Sequence, residues 1–114
     1  MNRIVAITIG DINGIGIDIL INTYKSNKID NFILFTNIDK LEKYLLKRKI
    51  KLNLNVINKN ERSLNFVKNK FNVYTYKCIS SEENTYKSLR YAYNFCIKKF
   101  CIGIITLPLR KDLI

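Results

Sequence analysis

The sequence predicts an α/β protein with a largely parallel sheet and flanking helices. Short apolar runs rich in β-branched residues recur along the chain, stretches with helical spacing separate them, and helix-capping residues follow two of the loops.

The first run, Arg3 to Ile9 (RIVAITI), is almost continuously apolar, as a strand buried on both faces of a parallel sheet would be. Gly10, Gly14 and Gly16 punctuate the next stretch, and a helix is expected from Ile17 to about Tyr24. Asn31 to Thr36 (NFILFT) reads as a second strand. Asn37 is then placed to cap a helix to about Arg48 whose Leu41, Tyr44 and Leu45 share one face. Leu52 to Ile57 alternates apolar and polar, which suits a half-exposed strand near a sheet edge. Asn58 to Asn72 is polar and lysine-rich and reads as a loop with a short helix around Leu64 to Val67, before a short strand from Val73 to Tyr76.

Ser80 and Glu83 have the spacing of a capping box, opening a helix to about Phe100. Its Tyr86, Leu89, Tyr93, Cys96 and Phe100 form a stripe expected to face the core. Ile102 to Thr106 (IGIIT) reads as a last buried strand. The chain then stops at Leu113 and Ile114, where another helix should be starting. A buried-type strand so near the end would leave an uncovered sheet edge and an exposed apolar surface.

The charge balance is strongly basic, with a formal net charge of +11. Nucleic-acid binding would account for it, but isoleucine, lysine, asparagine, tyrosine and phenylalanine together make up more than half the chain, and A/T-rich codons encode all five. Codon bias therefore explains the lysines equally well. They are spread along the chain without a nucleic-acid-binding motif, so neither nucleic acid nor membrane is an expected partner. Cys78, Cys96 and Cys101 are odd in number, show no CxxC spacing, and have no histidine to join them as metal ligands. Reduced thiols and a cytoplasmic location are expected. The N-terminal apolar run is cut by Asp11 before it reaches signal-peptide length, and no stretch approaches a transmembrane span.

Two segments carry candidate chemistry. In ITIGDINGIGID, from Ile7 to Asp18, a strand gives way to a glycine-rich turn and a helix start. Glycine allows positive φ and close approach of a ligand, and the first helical turn offers N–H groups to an anion. The spacing fits neither GxGxxG from Gly14, which would need glycine at Ile19, nor a Walker A loop, so an ordinary strand-to-helix turn is the competing reading. Gly14 is the residue expected to need positive φ. Asp11 and Asp18 are candidates for orienting loop amides or a nearby lysine, or are simply helix-start carboxylates favoured by the dipole. In the second segment, Thr106 and Lys111 come after a strand end and are candidates for facing the same cleft, with Lys111 contacting a substrate anion or standing solvated.

Taken as a pair, GDINGIGID and IITLPLRKDLI resemble the 4-hydroxythreonine-4-phosphate dehydrogenase family, with its GDPAGIGPE-like and TAPINKE-like motifs. Gly10, Asp11, Gly14, Ile15 and Gly16 match the first motif, and Thr106, Pro108 and Lys111 match the second. Ser80 to Leu89 (SSEENTYKSL) lies where the family has a helix start containing serine, glutamate and asparagine. Asp18 and Asp112 replace glutamates, Ile12 and Ile17 replace prolines, Asn13 and Leu107 replace alanines, Arg110 replaces asparagine, and Thr85 replaces a frequent glycine.

The resemblance implies residues 1–114 as a single N-terminal fragment of a longer dehydrogenase, an incomplete part of an isocitrate/isopropylmalate dehydrogenase-like fold. It further implies a homodimeric enzyme oxidising and decarboxylating a phosphorylated small molecule, 4-phosphooxy-L-threonine, with NAD or NADP and a divalent metal, in pyridoxal phosphate biosynthesis. The family's metal ligands are histidines and this chain has none. The chain alone is therefore expected to be inactive, with no catalytic or metal-binding residue of its own. Gly10, Asp11, Gly14, Gly16, Asp18, Thr106 and Lys111 remain as cofactor- or substrate-loop candidates. A non-catalytic interaction module and a basic nucleic-acid-binding protein are the alternatives.

Overall fold

The computed structural model describes residues 3–11, 14–58 and 65–108. Its strands are β1 (Val5–Thr8), β2 (Phe32–Phe35), β3 (Leu54–Asn58), β4 (Phe71–Thr75) and β5 (Gly103–Thr106), and its helices are α1 (Ile15–Lys25), α2 (Ile38–Lys47) and α3 (Ser81–Ile97). The strands form one sheet in the order β3-β4-β2-β1-β5, with every neighbouring pair parallel. The expected α/β class and parallel sheet are both present.

The central β2 is buried throughout, and Ala6, Ile7 and Thr8 of β1 are buried too. β3 lies at one edge and is half exposed, as its alternating pattern predicts. Helices α1 and α2 cover one face, where Ile7, Phe32, Leu34 and Val73 pack with Ile17, Leu20, Leu41, Tyr44 and Leu45. On the other face α3 is the one helix among the described residues. There Ala6, Ile33, Phe35, Tyr74 and Tyr76 meet Ala92, with Tyr91 and Phe95 partly buried against them. Phe95 stands edge-on to both Phe35 and Tyr74 with ring centroids 4.9 and 4.8 Å apart, an arrangement that aromatic quadrupoles favour.

Caps set the helix starts. Asn37 accepts a hydrogen bond from the Lys40 amide at 3.1 Å, and Ser80 accepts one from the Glu83 amide at 3.1 Å. Glu83 reaches back to the Ile79 amide, one residue earlier than a strict capping box requires. The three helices end in the same way: Asn27, Lys49 and Lys99 adopt φ of 58°, 56° and 64°, and main-chain bonds close the last turn around them. This stops α3 at Ile97 rather than near Phe100. At the other end of the chain, α1 begins at Ile15, earlier than the Ile17 expected.

Other expectations need correction. Residues 65–67 are not helical, and Leu64 lies outside the described residues. Asn72 holds this segment in its non-helical course: its buried side chain accepts from the Val67 amide and donates to the Val67 and Lys70 carbonyls. The stripe of α3 expected in the core faces out instead, with Tyr86, Leu89, Tyr93 and Phe100 exposed and Cys96 half-buried. The buried residues of α3 are Asn84, Ser88 and Ala92. β5 is no buried strand either, because it forms the second sheet edge and leaves Ile104 and Ile105 exposed. Among the described residues no helix is long and apolar enough to cross a membrane.

Candidate functional site

In an open parallel sheet, ligands bind beyond the carboxyl ends of the strands, at the point where the strand order reverses. Here that point lies between β1 and β5. The chain runs from β1 through α1 to β2 on one side, and later returns through α3 to β5 on the other.

The glycine-rich turn and the segment after β5 meet at this point. Leu107 extends the pairing by donating its amide hydrogen to the Thr8 carbonyl at 3.1 Å, and the Asp11 amide donates to the Pro108 carbonyl at 3.1 Å. The contact is close enough to require glycine. A Cβ on Gly10 would fall on the Pro108 and Leu107 carbonyl oxygens, and one on Gly16 would lie 2.7 Å from Pro108 Cδ. Gly10 and Gly16 therefore permit the chain to pack against itself.

Gly14 has a different role from the one expected. Its φ is −93° and its ψ 177°, an extended conformation open to any residue, and it caps α1 without a side-chain hydrogen bond. Its amide donates to the Asp11 carbonyl at 2.9 Å, closing the turn.

Of the carboxylates, Asp18 sits in the first turn of α1 and pairs with Arg48 at 3.4 Å across an exposed surface, where such a pair contributes little. That arginine, rather than a lysine, is its partner. Asp11 belongs to the turn itself and is held there by its main-chain bonds. Thr106 lies opposite Thr8 in the strand register and is exposed. Lys111 and Asp112 fall outside the described residues.

The start of α3 buttresses the site from the opposite face. Thr85 donates its hydroxyl to the Gly10 carbonyl at 2.9 Å. Ser88 accepts from the Ile9 amide at 2.8 Å and donates to the Phe35 carbonyl at 2.6 Å, fastening the ends of β1 and β2 to the helix. Asn84 Oδ1 accepts from the Asn37 amide at 3.0 Å and from the Tyr76 hydroxyl at 2.8 Å, while its Nδ2 donates to Thr36 Oγ1 at 3.1 Å. Burial holds the Tyr76 phenol well above the usual tyrosine range, and it stays protonated as a donor. Sequence reading placed Ser80 to Leu89 in a helix but missed Asn84, Thr85 and Ser88 as the residues that fasten the strand ends. Their spacing of three to four residues on one helix face was the available signal.

The strand ends at the switch point are thus braced from two sides, by the packing of Gly10 and Gly16 on Leu107 and Pro108 and by the hydrogen bonds from the start of α3. Among the described residues no group of three or more His, Cys, Asp or Glu side chains is positioned to hold a metal ion.

No family model matches this chain, and no curated protein matches it. Its fold is similar to that of a Salmonella typhimurium protein assigned provisionally as a 4-hydroxythreonine-4-phosphate dehydrogenase, with a TM-score of 0.72 and 18% sequence identity. The match covers 96% of this chain and 39% of that one, so this chain spans well under half the length of its structural neighbour.

Proposed function

We propose that this chain supplies the N-terminal part of an NAD- or NADP-dependent oxidoreductase of the 4-hydroxythreonine-4-phosphate dehydrogenase type, acting on a phosphorylated hydroxy amino acid. The observation that carries this reading is the meeting of the two motif segments, Gly10 to Gly16 and Thr106 to Pro108, at the switch point of the sheet. The motifs match that family in order, and the fold likeness is to a protein bearing its name.

In this reading Gly10, Asp11, Gly14 and Gly16 shape one wall of a substrate or cofactor crevice. Thr106 borders it from the second segment, and Lys111, which lies outside the described residues, is the candidate for contacting a substrate anion. The histidines, the metal they hold, the opposing wall and the homodimer contacts come from polypeptide beyond these 114 residues, so the chain alone has no turnover. The test is to express the gene's full open reading frame, supply 4-phosphooxy-L-threonine, a divalent metal and NAD or NADP, and follow reduced nicotinamide. Reduction by the full product but not by residues 1–114 supports the reading. Turnover by residues 1–114 alone, or none by a folded, metal-loaded full product, overturns it.

One observation favours a second reading, a non-catalytic interaction module. Tyr86 and Tyr93 of α3 are 64% and 60% exposed, and Leu89, Ile97 and the β5 isoleucines join them in a wide apolar surface. A chain that is monodisperse at high concentration and inert in the nicotinamide assay, with no longer product of the gene, would favour this module.

A further inference from the structure

We propose that the cleft beyond the carboxyl ends of β2 and β4 binds a small molecule carrying two or more phosphate groups. This inference does not rest on the dehydrogenase reading. The cleft has a volume of about 620 Å³, within the usual range for small-molecule sites and too roomy for a single phosphate. Like the switch point, it lies on the side of a parallel sheet where ligands bind.

Four lysines from three separate segments line it. Lys40 and Lys43 come from the first two turns of α2, Lys77 from the connection after β4, and Lys87 from α3. Codon bias can scatter lysines along a chain, but it does not explain why the fold turns these four into one concavity. Two carboxylates, Asp39 and Glu83, share the wall and leave an excess of positive charge. Glu83 is engaged by Lys87 at 3.3 Å, and Lys87 also donates to the Lys77 carbonyl at 2.7 Å. Among the described residues, Lys40, Lys43 and Lys77 have no carboxylate within 4.0 Å. Three lysines thus line one opening without a carboxylate at contact distance among the described residues, and a polyanion supplies the counter-charge.

The same geometry sets the mode of recognition. α2 and α3 both direct their N-terminal ends, which carry partial positive charge, toward this part of the sheet. The capping side chains of Asn37 and Ser80 already use the amides of Lys40 and Glu83, so the ligand is held by lysine side chains more than by main chain. Ammonium groups are point charges without the fixed fork of arginine. The site therefore selects by charge density, and its affinity falls as salt rises.

Cys78 provides the readout, because it lines the cleft and is half exposed, whereas Cys96 lies elsewhere on α3 and Cys101 is buried. The experiment alkylates the 114-residue protein with iodoacetamide, with and without sodium pyrophosphate, and follows each cysteine by peptide mass spectrometry. Sodium chloride at matched ionic strength serves as the control. Pyrophosphate at several times its Kd should slow Cys78 alkylation about fivefold and leave Cys96 unchanged. Lys43→Gln combined with Lys77→Gln, both at exposed positions, should raise the pyrophosphate concentration needed for half-protection about tenfold, whereas Lys98→Gln outside the cleft should not. Pyrophosphate that protects no better than chloride, protection shared by Cys96, or equal losses in the Lys98 variant would each overturn the proposal. Circular dichroism of each variant confirms that a loss of protection is not a loss of fold.

Discussion

Replacing the four glycines one at a time by alanine separates close backbone packing from conformational need. At Gly10 the new methyl group collides with the carbonyl oxygens of Pro108 and Leu107. These are main-chain atoms held by Leu107 pairing with Thr8 and by Asp11 donating to Pro108, so the two loops must part. Overpacking of this kind costs about 1–3 kcal/mol. Losing the Asp11–Pro108 hydrogen bond adds roughly 1 kcal/mol, for a total of about 2–4 kcal/mol. For a domain of this size that lowers Tm by roughly 10–20 °C. At Gly16 the clash is with Pro108 Cδ at 2.7 Å and Leu107 Cβ at 3.1 Å, and the helix propensity gained from alanine, about 1 kcal/mol, offsets part of it. Gly14→Ala needs no change of its extended backbone, and its costs are the modest N-cap preference of glycine, under about 1 kcal/mol, and the small shift of Asp11 that a Cβ 3.1 Å from Asp11 Cβ and 3.2 Å from its carbonyl oxygen requires. An added Cβ at Gly103 meets nothing within 4 Å, so alanine there is neutral or stabilising by up to about 1 kcal/mol. Urea unfolding followed by far-ultraviolet circular dichroism should rank the variants in that order, with Gly10→Ala the least stable. A Gly10→Ala midpoint equal to that of Gly103→Ala would refute the reasoning.

Asn84→Ala removes the acceptor for the Asn37 amide inside a buried network and should cost about 2–4 kcal/mol in urea unfolding. Thr8→Val should instead stabilise by about 1 kcal/mol, because the buried Thr8 hydroxyl has no hydrogen-bond partner among the described residues; a lower urea midpoint would show that the hydroxyl is in use. Lys49→Gly and Lys99→Gly should each stabilise by about 0.5–1 kcal/mol by relieving left-handed backbone at the helix ends, and unchanged or lowered midpoints would contradict this. Burial pushes the Cys101 thiol from 9.0 up to about 12 and the Tyr74 phenol from 10.0 to about 12. The folded state thus keeps protons that the unfolded state has lost, and the stabilisation present below about pH 9 disappears as pH rises toward 12. Cys101→Ala should flatten that decline in urea midpoints.

The parts of the fold that were legible in the sequence are those where local chemistry and tertiary need coincide. Ile33 and Leu34 belong to a run too apolar for any place but the sheet centre, and Asn37 and Ser80 cap helices because each has a side-chain oxygen one residue before a helical pattern. The helix ends were less legible. Glycine is the usual mark of a left-handed terminating residue, and here asparagine and two lysines adopt that conformation, so α3 looked longer than it is. The positive φ expected at Gly14 shows the converse limit. Glycine composition reports either backbone freedom or missing side-chain volume, and only the position of Leu107 and Pro108 shows that Gly10 and Gly16 supply the second.

The error at α3 has a deeper cause. A stripe of apolar residues predicts the buried face of a helix on the assumption that the surface beneath it is apolar. At the carboxyl end of a parallel sheet that surface includes the Ile9 amide, the Phe35 carbonyl and the Asn37 amide, which need polar partners once water is excluded. Ser88 and Asn84 meet those groups, so the face that looks hydrophilic in the sequence is the one the sheet requires. The apolar stripe then lies outside, beside the β5 edge where Ile104 and Ile105 are also exposed. Strand order adds to this outcome, because among the described residues β5 has a neighbour on one side only and α3 is the sole helix on its face. If further polypeptide extends the sheet past β5, the stripe becomes core after all, and the pattern read from the sequence describes a larger structure than these residues form by themselves.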